Sequence, residues 1–327
     1  MKPSSIIFLV ISVLIIIGGV VLCTVGMNMA SEQGVAMFKT NVVVSNGDVV
    51  ATDVFDASQI NKIKMSLDDV KVYIAPSETG ESYLEMYNFQ VGTYDYSIQN
   101  KMLVIDSGTS LFSLMRIAEG NFNFSGLRHF LMYRPNTGKE KKLYLYLAED
   151  AEINVYDISV EAGEVTVRDL ATASDYNITL ETGNITLENI STKSAVNLST
   201  DKGVVKADGL QCRMASIVIG SGAADLYVHQ YPSELQVTVM DGDIVCGYSV
   251  QTEYGLLFEA DAAGQISYNG TLQEARPWKY SSSPGVCLQE FQAKNGNIEL
   301  SIRATGASGR FDELSESLGE ETEGAAE

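Results

Sequence analysis

The sequence predicts an all-β chain: a stacked β-solenoid or β-roll with repeats of about 20 residues, preceded by one N-terminal transmembrane helix. Three observations predict it: a recurring glycine, apolar residues that alternate on both sides of that glycine, and an uncharged apolar run near the N-terminus. A fixed period of about 20 residues is typical of units that bury their apolar faces on one another. We therefore expect a scaffold that displays a surface and needs no catalytic cleft.

The N-terminal element is the apolar run Ile6–Met27, whose 22 residues include no charged side chain. In a helix with a rise of 1.5 Å per residue this run spans about 30 Å, the thickness of one bilayer core. It is longer than the apolar region of a signal peptide and is not followed by a good cleavage site. Residues 1–29 are therefore predicted to be an uncleaved membrane anchor, and residues 30–40 a linker. Lys2 and Glu32 favour a cytoplasmic N-terminus, with the bulk of the chain outside the cell membrane.

The charge balance fits an extracytoplasmic surface. The chain has 42 acidic and 22 basic residues, a formal net charge of −20. This argues against nucleic acid as a partner, because phosphate binding needs clustered Lys and Arg. It also disfavours adsorption to anionic lipid head groups. Residues 304–327 are rich in Gly, Ser and carboxylates, and they are predicted to form a disordered acidic tail.

The cysteines predict neither a disulfide framework nor a metal site. Cys23 lies in the apolar run, which leaves Cys212, Cys246 and Cys287 with no close pair between them. We expect each of the three to be a small buried apolar residue.

Residues 41–303 are predicted to form the extracytoplasmic β-repeat domain. Between residues 41 and 106, alternation as in INKIKMSLDDVKVYIAPSETG, bounded by turn residues, predicts half-buried antiparallel strands. Residues 107–141 are rich in Phe, Leu and Met without a period of two, and they are predicted to be an irregular insertion. Two roles stay open for it: an apolar contact patch, or a lid over an open end of the core.

The repeat is clearest around five glycines spaced 19 or 20 residues apart: Gly163, Gly183, Gly203, Gly222 and Gly242. Positions −5, +2, +4 and +7 from the glycine are apolar in the first three units. Each unit is therefore predicted to have two short strands facing a shared core, with the glycine at the turn between them. The next turn glycines, Gly264 and Gly296, follow at spacings of 22 and 32, so the repeat is expected to loosen.

This layout resembles the bacterial putative-adhesin family, a domain built from repeated β-strands. The resemblance rests on the N-terminal anchor, on the segments DDVKVYIAPSETG and KKLYLYLAEDAEINVYDISVEAGEV, and on the turns ETGNITLE, MDGDIVCG and KNGNIELS. It implies a stacked β architecture at the cell envelope. It carries no catalytic residues and no cofactor that could be transferred to this chain.

One short string resembles the active-site signature of aspartic proteases, VIDSGTSL with Asp106. That chemistry needs two aspartates that share a proton, and no second D-T-G or D-S-G occurs, so only a homodimer could complete the site. The only two histidines, His129 and His229, have no recognisable nucleophile motif beside them.

Two further patterns suggest ligands. IVIGSGAAD, with Gly222 and Asp225, resembles a dinucleotide-binding loop, but it lacks the third glycine and the following helix. Asp241, Asp243 and Asp261 raise the possibility of calcium, without a recognisable calcium-binding motif.

The predicted function is that of a non-enzymatic cell-envelope protein, which displays a β-solenoid for adhesion, scaffolding or envelope sensing. An envelope protein or a glycan is the expected partner, with Ile6–Met27 in the membrane, and we assign no catalytic, cofactor-binding or metal-binding residue. The alternative is an envelope hydrolase, either aspartic-protease-like through Asp106 or a polysaccharide-active β-helix with paired carboxylates.

Overall fold

A computed structural model describes residues 39–45, 48–89, 94–107, 139–172, 174–249, 256–282 and 287–302. Within these ranges the regular structure is 21 β-strands and one short 3-10 turn, so the predicted all-β class is confirmed. The predicted anchor and acidic tail, and almost all of the linker and the 107–141 insertion, fall outside the described residues. In the part that is described, no helix is long and apolar enough to cross a membrane.

The strands of the N-terminal part are β1 (Lys39–Ser45), β2 (Asp48–Phe55), β3 (Lys62–Pro76), β4 (Ser82–Tyr87), β5 (Tyr94–Gln99), β6 (Met102–Ser107) and β7 (Lys142–Leu147). Those of the regular middle are β8 (Val155–Arg168), β9 (Ala171–Thr172), β10 (Asp175–Glu188), β11 (Ser191–Thr192), β12 (Ala195–Leu210) and β13 (Met214–Val228). Those of the C-terminal part are β14 (Glu234–Asp241), β15 (Ile244–Tyr248), β16 (Leu256–Ala262), β17 (Ile266–Tyr268), β18 (Thr271–Gln273), β19 (Trp278–Ser281), β20 (Cys287–Ala293) and β21 (Ile298–Ile302).

Each regular repeat is one long strand that bends at its glycine. In β8, Ile158 and Val160 are buried before Gly163, whereas Val165 and Val167 are buried after it. Alternate side chains face the core on both sides of the glycine, but the phase of the alternation changes at the bend, so one strand contributes to two sheets. The predicted core positions are confirmed. The prediction of two short strands joined by a turn is wrong, because the backbone pairing continues through the glycine.

The repeat glycines stack directly on one another along the bend. Gly183 has a φ of +132°, and a Cβ added there would lie 1.7 Å from the carbonyl oxygen of Gly163. The same close approach recurs along the column, at 1.8 Å for Gly203 and for Gly222 and at 1.6 Å for Gly242. A side chain is therefore excluded twice, by the positive φ and by the backbone of the neighbouring repeat.

Each layer of the stack, here called a rung, is either one bent strand or two consecutive strands that together take the place of one. The described strands form nine parallel rungs in the order β6/β7, β3, β8, β10, β12, β13, β14/β15, β20/β21 and β16/β17. Chain order is kept only in the middle. At the N-terminal end, β6 and β7 form the outermost rung, although they follow β3 in the chain. At the C-terminal end, β16 and β17 form the outermost rung, although they precede β20 and β21 in the chain. The prediction that residues 41–106 form only antiparallel strands is therefore wrong for β3, which has parallel neighbours on both sides.

This exchange of rungs explains the irregular spacing of the later glycines. A Cβ on Gly296 would lie 1.9 Å from the carbonyl oxygen of Gly242, and one on Gly264 would lie 2.6 Å from that of Gly296. The column thus continues in space as Gly242, Gly296 and Gly264. The expected loosening of the repeat is a change in chain order and not a loss of stacking.

Antiparallel strands pair with the outermost parallel rung at both ends of the stack. At the N-terminal end β5 pairs with β6, and β4, β2 and β1 extend the other sheet from β7. At the C-terminal end β19 pairs with β16, and β18 pairs with β17. Tyr96 on β5 donates a hydrogen bond to the buried carboxylate of Asp53 on β2, which connects the two sheets at the N-terminal end.

The core between the two sheets is continuous and apolar. Tyr156 and Tyr176 of successive rungs stack inside it, with ring centroids 4.7 Å apart. Cys212 and Cys246 are buried free thiols, as predicted, whereas Cys287 is only half-buried.

Candidate functional site

Asp106 lies on an outer strand of the stack. It is half-buried on β6, and its neighbours in the sheet are Ser66 on β3 and Asp95 on β5. The next residue, Ser107, accepts a hydrogen bond from the backbone N–H of Asp68 at 2.9 Å. The rest of the protease-like string lies outside the described residues. A neighbour on an adjacent strand is not the second aspartate loop that the mechanism requires.

The nucleotide-like string is explained by the fold. Gly222 belongs to the glycine column, and the segment that follows it continues as strand β13. Asp225 faces outwards beside Lys206 on β12, and burial raises the pKa of its carboxyl group, partly offset by that lysine. His229 is exposed and contacts the ring of Tyr227 edge-on, with centroids 5.3 Å apart, whereas His129 falls outside the described ranges.

The aspartates considered for calcium do not converge. Asp243 lies at the bend beside Gly242, where its Oδ1 accepts hydrogen bonds from Asn297, 2.6 Å from the backbone nitrogen and 3.1 Å from Nδ2. Asp261 lies instead on the outer face of β16. Among the described residues, no group of three or more His, Cys, Asp or Glu side chains is placed to hold a metal ion.

Two outer surfaces stand out instead, and the first is the acidic groove at the C-terminal end. Its volume is about 350 Å³, and its lining residues are Gln236, Val237, Thr238, Glu259, Ala260, Asp261, Pro277, Glu290, Phe291 and Gln292. The groove crosses three adjacent parallel strands, β14, β20 and β16. Alternation directs the polar residues outwards and buries Val237, Ala260 and Phe291 beneath them.

Hydrogen bonds hold the carboxylates of the acidic groove in place. Glu259 and Glu290 are direct neighbours in register on β16 and β20. Lys279 on β19 forms an ion pair with Glu259 at 2.8 Å. The side-chain amide of Gln236 donates to Glu290 at 3.0 Å. The groove therefore offers carboxylate acceptors together with amide and hydroxyl groups, which suits a ligand rich in hydroxyl or amide groups.

Sequence reasoning missed this groove because its residues come from three separate segments. Glu290 lies 54 residues after Gln236 and 31 after Glu259 in the chain. The available signal was the polar half of each alternating strand, as in ELQVTVMD, LLFEADA and CLQEFQA. Which strands become neighbours could not be inferred, because β20 enters the stack between two strands that precede it.

The second surface is the tyrosine face at the N-terminal end. It is formed by Tyr73 on β3, Tyr83 and Tyr87 on β4, and Tyr144 and Tyr146 on β7, all half-buried. Tyr83 and Tyr146 stack with ring centroids 4.6 Å apart, and Tyr144 contacts Tyr73 at 5.5 Å and Tyr87 at 5.3 Å. The rings thus form one contiguous cluster across three adjacent strands.

The phenol groups of the tyrosine face are neutral, and charged side chains of both signs surround them. Burial raises the pKa of Tyr73 and Tyr83, and it raises the pKa of Tyr146 to about 12, so these phenols stay protonated at neutral pH. At the edge, Lys71 lies 2.9 Å from Glu140 and 3.1 Å from Glu164. The guanidinium of Arg168 lies 5.0 Å from the ring centroid of Tyr73, a cation–π contact.

Several solved structures are similar to this chain, among them the following three. A putative cell adhesion protein from Clostridium sporogenes is 15% identical, with 78% of this chain and 99% of that one covered and a TM-score of 0.33. A putative adhesin from Bacteroides fragilis is 11% identical, with 80% and 99% covered and a TM-score of 0.35. A putative adhesin from Parabacteroides distasonis is 10% identical, with 76% and 96% covered and a TM-score of 0.28.

Among curated proteins, none matches this chain. The family comparison does give a match, over residues 60–283, which extend from the residues just before β3 to the strands that close the C-terminal end. With its stacked β-strands and this match over most of its length, the chain belongs to the Toastrack DUF4097 family.

Proposed function

We propose that this protein is a non-enzymatic cell-envelope protein that displays its β-solenoid for adhesion, scaffolding or envelope sensing, and that the acidic groove is where it contacts its partner. The observation that carries the proposal is the groove itself, a concave surface of about 350 Å³ at one end of a closely stacked scaffold. Ligand sites are usually concave, and the mainly polar lining of this groove favours a polar ligand.

The location of the groove supports display away from a membrane. The predicted anchor Ile6–Met27 precedes β1, which belongs to the N-terminal end of the stack. The groove spans the three rungs at the other end. With rungs about 4.8 Å apart, eight steps separate the outermost rungs by roughly 38 Å. A chain anchored at its N-terminus would therefore present the groove to its surroundings.

Cross-linking on intact cells tests this proposal. A photoreactive residue would replace Gln236 in the groove, and in a matched control it would replace Asn197, which occupies the equivalent exposed position on the regular strand β12. We expect the groove probe to capture an extracytoplasmic protein or glycan that the control does not capture. Equal capture at the two positions would remove the groove from the proposal. Capture of cytoplasmic proteins alone would contradict the predicted orientation.

A second candidate function is polysaccharide cleavage, which is favoured by the adjacent carboxylates of Glu259 and Glu290. Hydrolysis of a glycosidic bond generally requires two carboxyl groups that flank the bond. In the proposed binding role, the full-length protein releases no product from cell-wall polysaccharides. Turnover that disappears in both Glu259→Gln and Glu290→Gln would establish the enzyme instead. Peptide cleavage that disappears in Asp106→Asn would favour the protease alternative.

A further inference from the structure

We propose that the tyrosine face lies against the membrane that holds the chain, with its phenol rings in the interface between head groups and acyl chains. The inference rests on the anchored topology of the proposed function. It adds a second contact surface, which would orient the solenoid relative to the bilayer. The observation behind it is that the chain enters the sheet in the same row as the tyrosines.

The strand register defines that row. Lys39, the first residue of β1, pairs with Val54 on β2, Val54 pairs with Tyr83 on β4, and Tyr83 pairs with Tyr146 on β7. Adjacent strands lie about 4.8 Å apart, so the backbone at Tyr83 is roughly 10 Å from the point of entry. Val54, which lies between them, exposes 38% of its surface and extends the apolar character of the row.

The length of chain before this point limits how far the face can lie from the bilayer. Eleven residues, 28–38, separate the end of the predicted anchor at Met27 from Lys39. Even fully extended they reach at most about 40 Å. A short tether of this kind converts a weak surface contact into an intramolecular one with a high effective concentration.

The chemistry of the tyrosine face suits a zwitterionic interface. Tyrosine is enriched at membrane–water boundaries because its ring is apolar while its hydroxyl group forms hydrogen bonds in the head-group layer. Around the rings, Lys71, Lys142 and Arg168 lie among a larger number of carboxylates, which are Glu78, Glu85, Glu140, Glu164, Asp169 and Glu188. The face therefore shares the negative sign of the whole chain, whose net charge is −20, and it lacks the basic cluster that would select anionic lipids.

Tryptophan quenching by brominated lipids tests the contact. The native chain has one tryptophan, Trp278, which is buried at the far end of the stack and can be removed as Trp278→Phe. In that background, Tyr144→Trp reports on the tyrosine face. Val218→Trp is the matched control, since Val218 is 45% exposed on β13 before the bend and therefore lies on the outer face of the other sheet. Both full-length proteins would be reconstituted in phosphatidylcholine vesicles that carry bromine near the top of the acyl chains.

We expect roughly a twofold loss of emission for Tyr144→Trp and little change for Val218→Trp, because only the first ring would lie at the interface. Tyr146→Trp is expected to behave like Tyr144→Trp, and it serves if the first variant does not fold. Equal quenching of face and control, no quenching of either, or quenching that requires anionic lipid would overturn the inference. Flotation of the same vesicles separates the two proposals. A protein that floats but is not quenched contradicts only the contact, whereas a protein that does not float contradicts the anchored topology as well.

Discussion

At the N-terminal end of the stack, tyrosines from three strands pack across the outer face of one sheet. At the C-terminal end, carboxylates and amides line a groove on the other sheet. The two ends are nevertheless built alike. Each contains a rung that is out of chain order, and each is finished by antiparallel strands. The buried side chains therefore determine the architecture, whereas the outward-facing side chains of each strand can differ between the two ends without changing it.

The largest effect is expected where both ends depend on the same feature, the glycine column. Gly183→Ala would place a Cβ 1.7 Å from the carbonyl oxygen of Gly163 at a φ of +132°. We expect at least about 4 kcal/mol of destabilisation, which would disrupt the groove and the tyrosine face together. The measurement is urea unfolding followed by circular dichroism. Gly80→Ala is the control, since its φ is +78° but no atom lies within 4 Å, and left-handed strain alone costs about 1–2 kcal/mol. Similar losses in the two variants would show that the column is not tightly stacked.

A smaller and local effect is expected from Gln289→Leu at the groove end. The buried side chain of Gln289 accepts a hydrogen bond from the Tyr248 hydroxyl at 3.1 Å and donates to the Pro232 carbonyl at 2.9 Å. Leaving both partners unsatisfied should cost about 2–3 kcal/mol. Hydrogen exchange should quicken in β14 and β20 while β3 and β8 stay protected. The exposed Gln211→Leu should change the free energy of unfolding by less than about 0.5 kcal/mol. Loss of protection in β3 would mean that the two ends unfold as one unit.

High pH should weaken the groove end before the tyrosine face. Complete burial raises the pKa of the Cys246 thiol from 9.0 to about 12, whereas the pKa of Tyr146 rises from 10.0 to about 12. Because each pKa is raised on folding, the stability linked to the neutral group is complete below the unfolded pKa. It is lost as the pH rises towards the folded pKa. The loss therefore begins near pH 9 for Cys246 and near pH 10 for Tyr146.

Urea unfolding at about pH 8 and about pH 10.5 measures this effect. The wild-type protein should lose about 2 kcal/mol more between these pH values than Cys246→Ala, which lacks the ionisable group. The cavity that the variant leaves lowers its stability at both pH values and cancels in the difference. An equal loss in the two proteins would show that Cys246 is not kept neutral by the fold.

The smallest effect is expected at the edge of the tyrosine face. Lys71 forms ion pairs with Glu140 and Glu164, but its side chain remains 40% exposed. Lys71→Met should therefore change the free energy of unfolding by less than about 1 kcal/mol, and the difference should shrink further in high salt. A larger loss that persists in salt would show that these charges contribute to the packing of the tyrosines and not only to the edge.

The interior of the regular rungs could be predicted from the sequence. Positions such as Ile178, Ile185 and Leu187 recur at fixed distances from a glycine, and all three are buried. The alternation in KLYLYL and SYLEMY likewise directs the tyrosines to one face of each strand. The neighbours of each strand could not be predicted, because backbone hydrogen bonds between rungs carry no sequence signal of their own. Both surfaces depend on those neighbours, so neither could be assembled from the sequence alone.

The position of β20 and β21 has a consequence for synthesis of the chain. These strands are the last of the described strands to leave the ribosome, yet they belong inside the stack, between β14/β15 and β16/β17. The outermost C-terminal rung therefore has no parallel neighbour to pair with until β20 and β21 have been synthesised. We expect a nascent chain halted before Cys287 to be cut readily by protease within residues 256–282, while β8 to β13 resist digestion. Resistance across both regions would contradict this order of assembly. A stop codon just before Cys287 would thus remove an inner layer of the protein and leave the outer one without support.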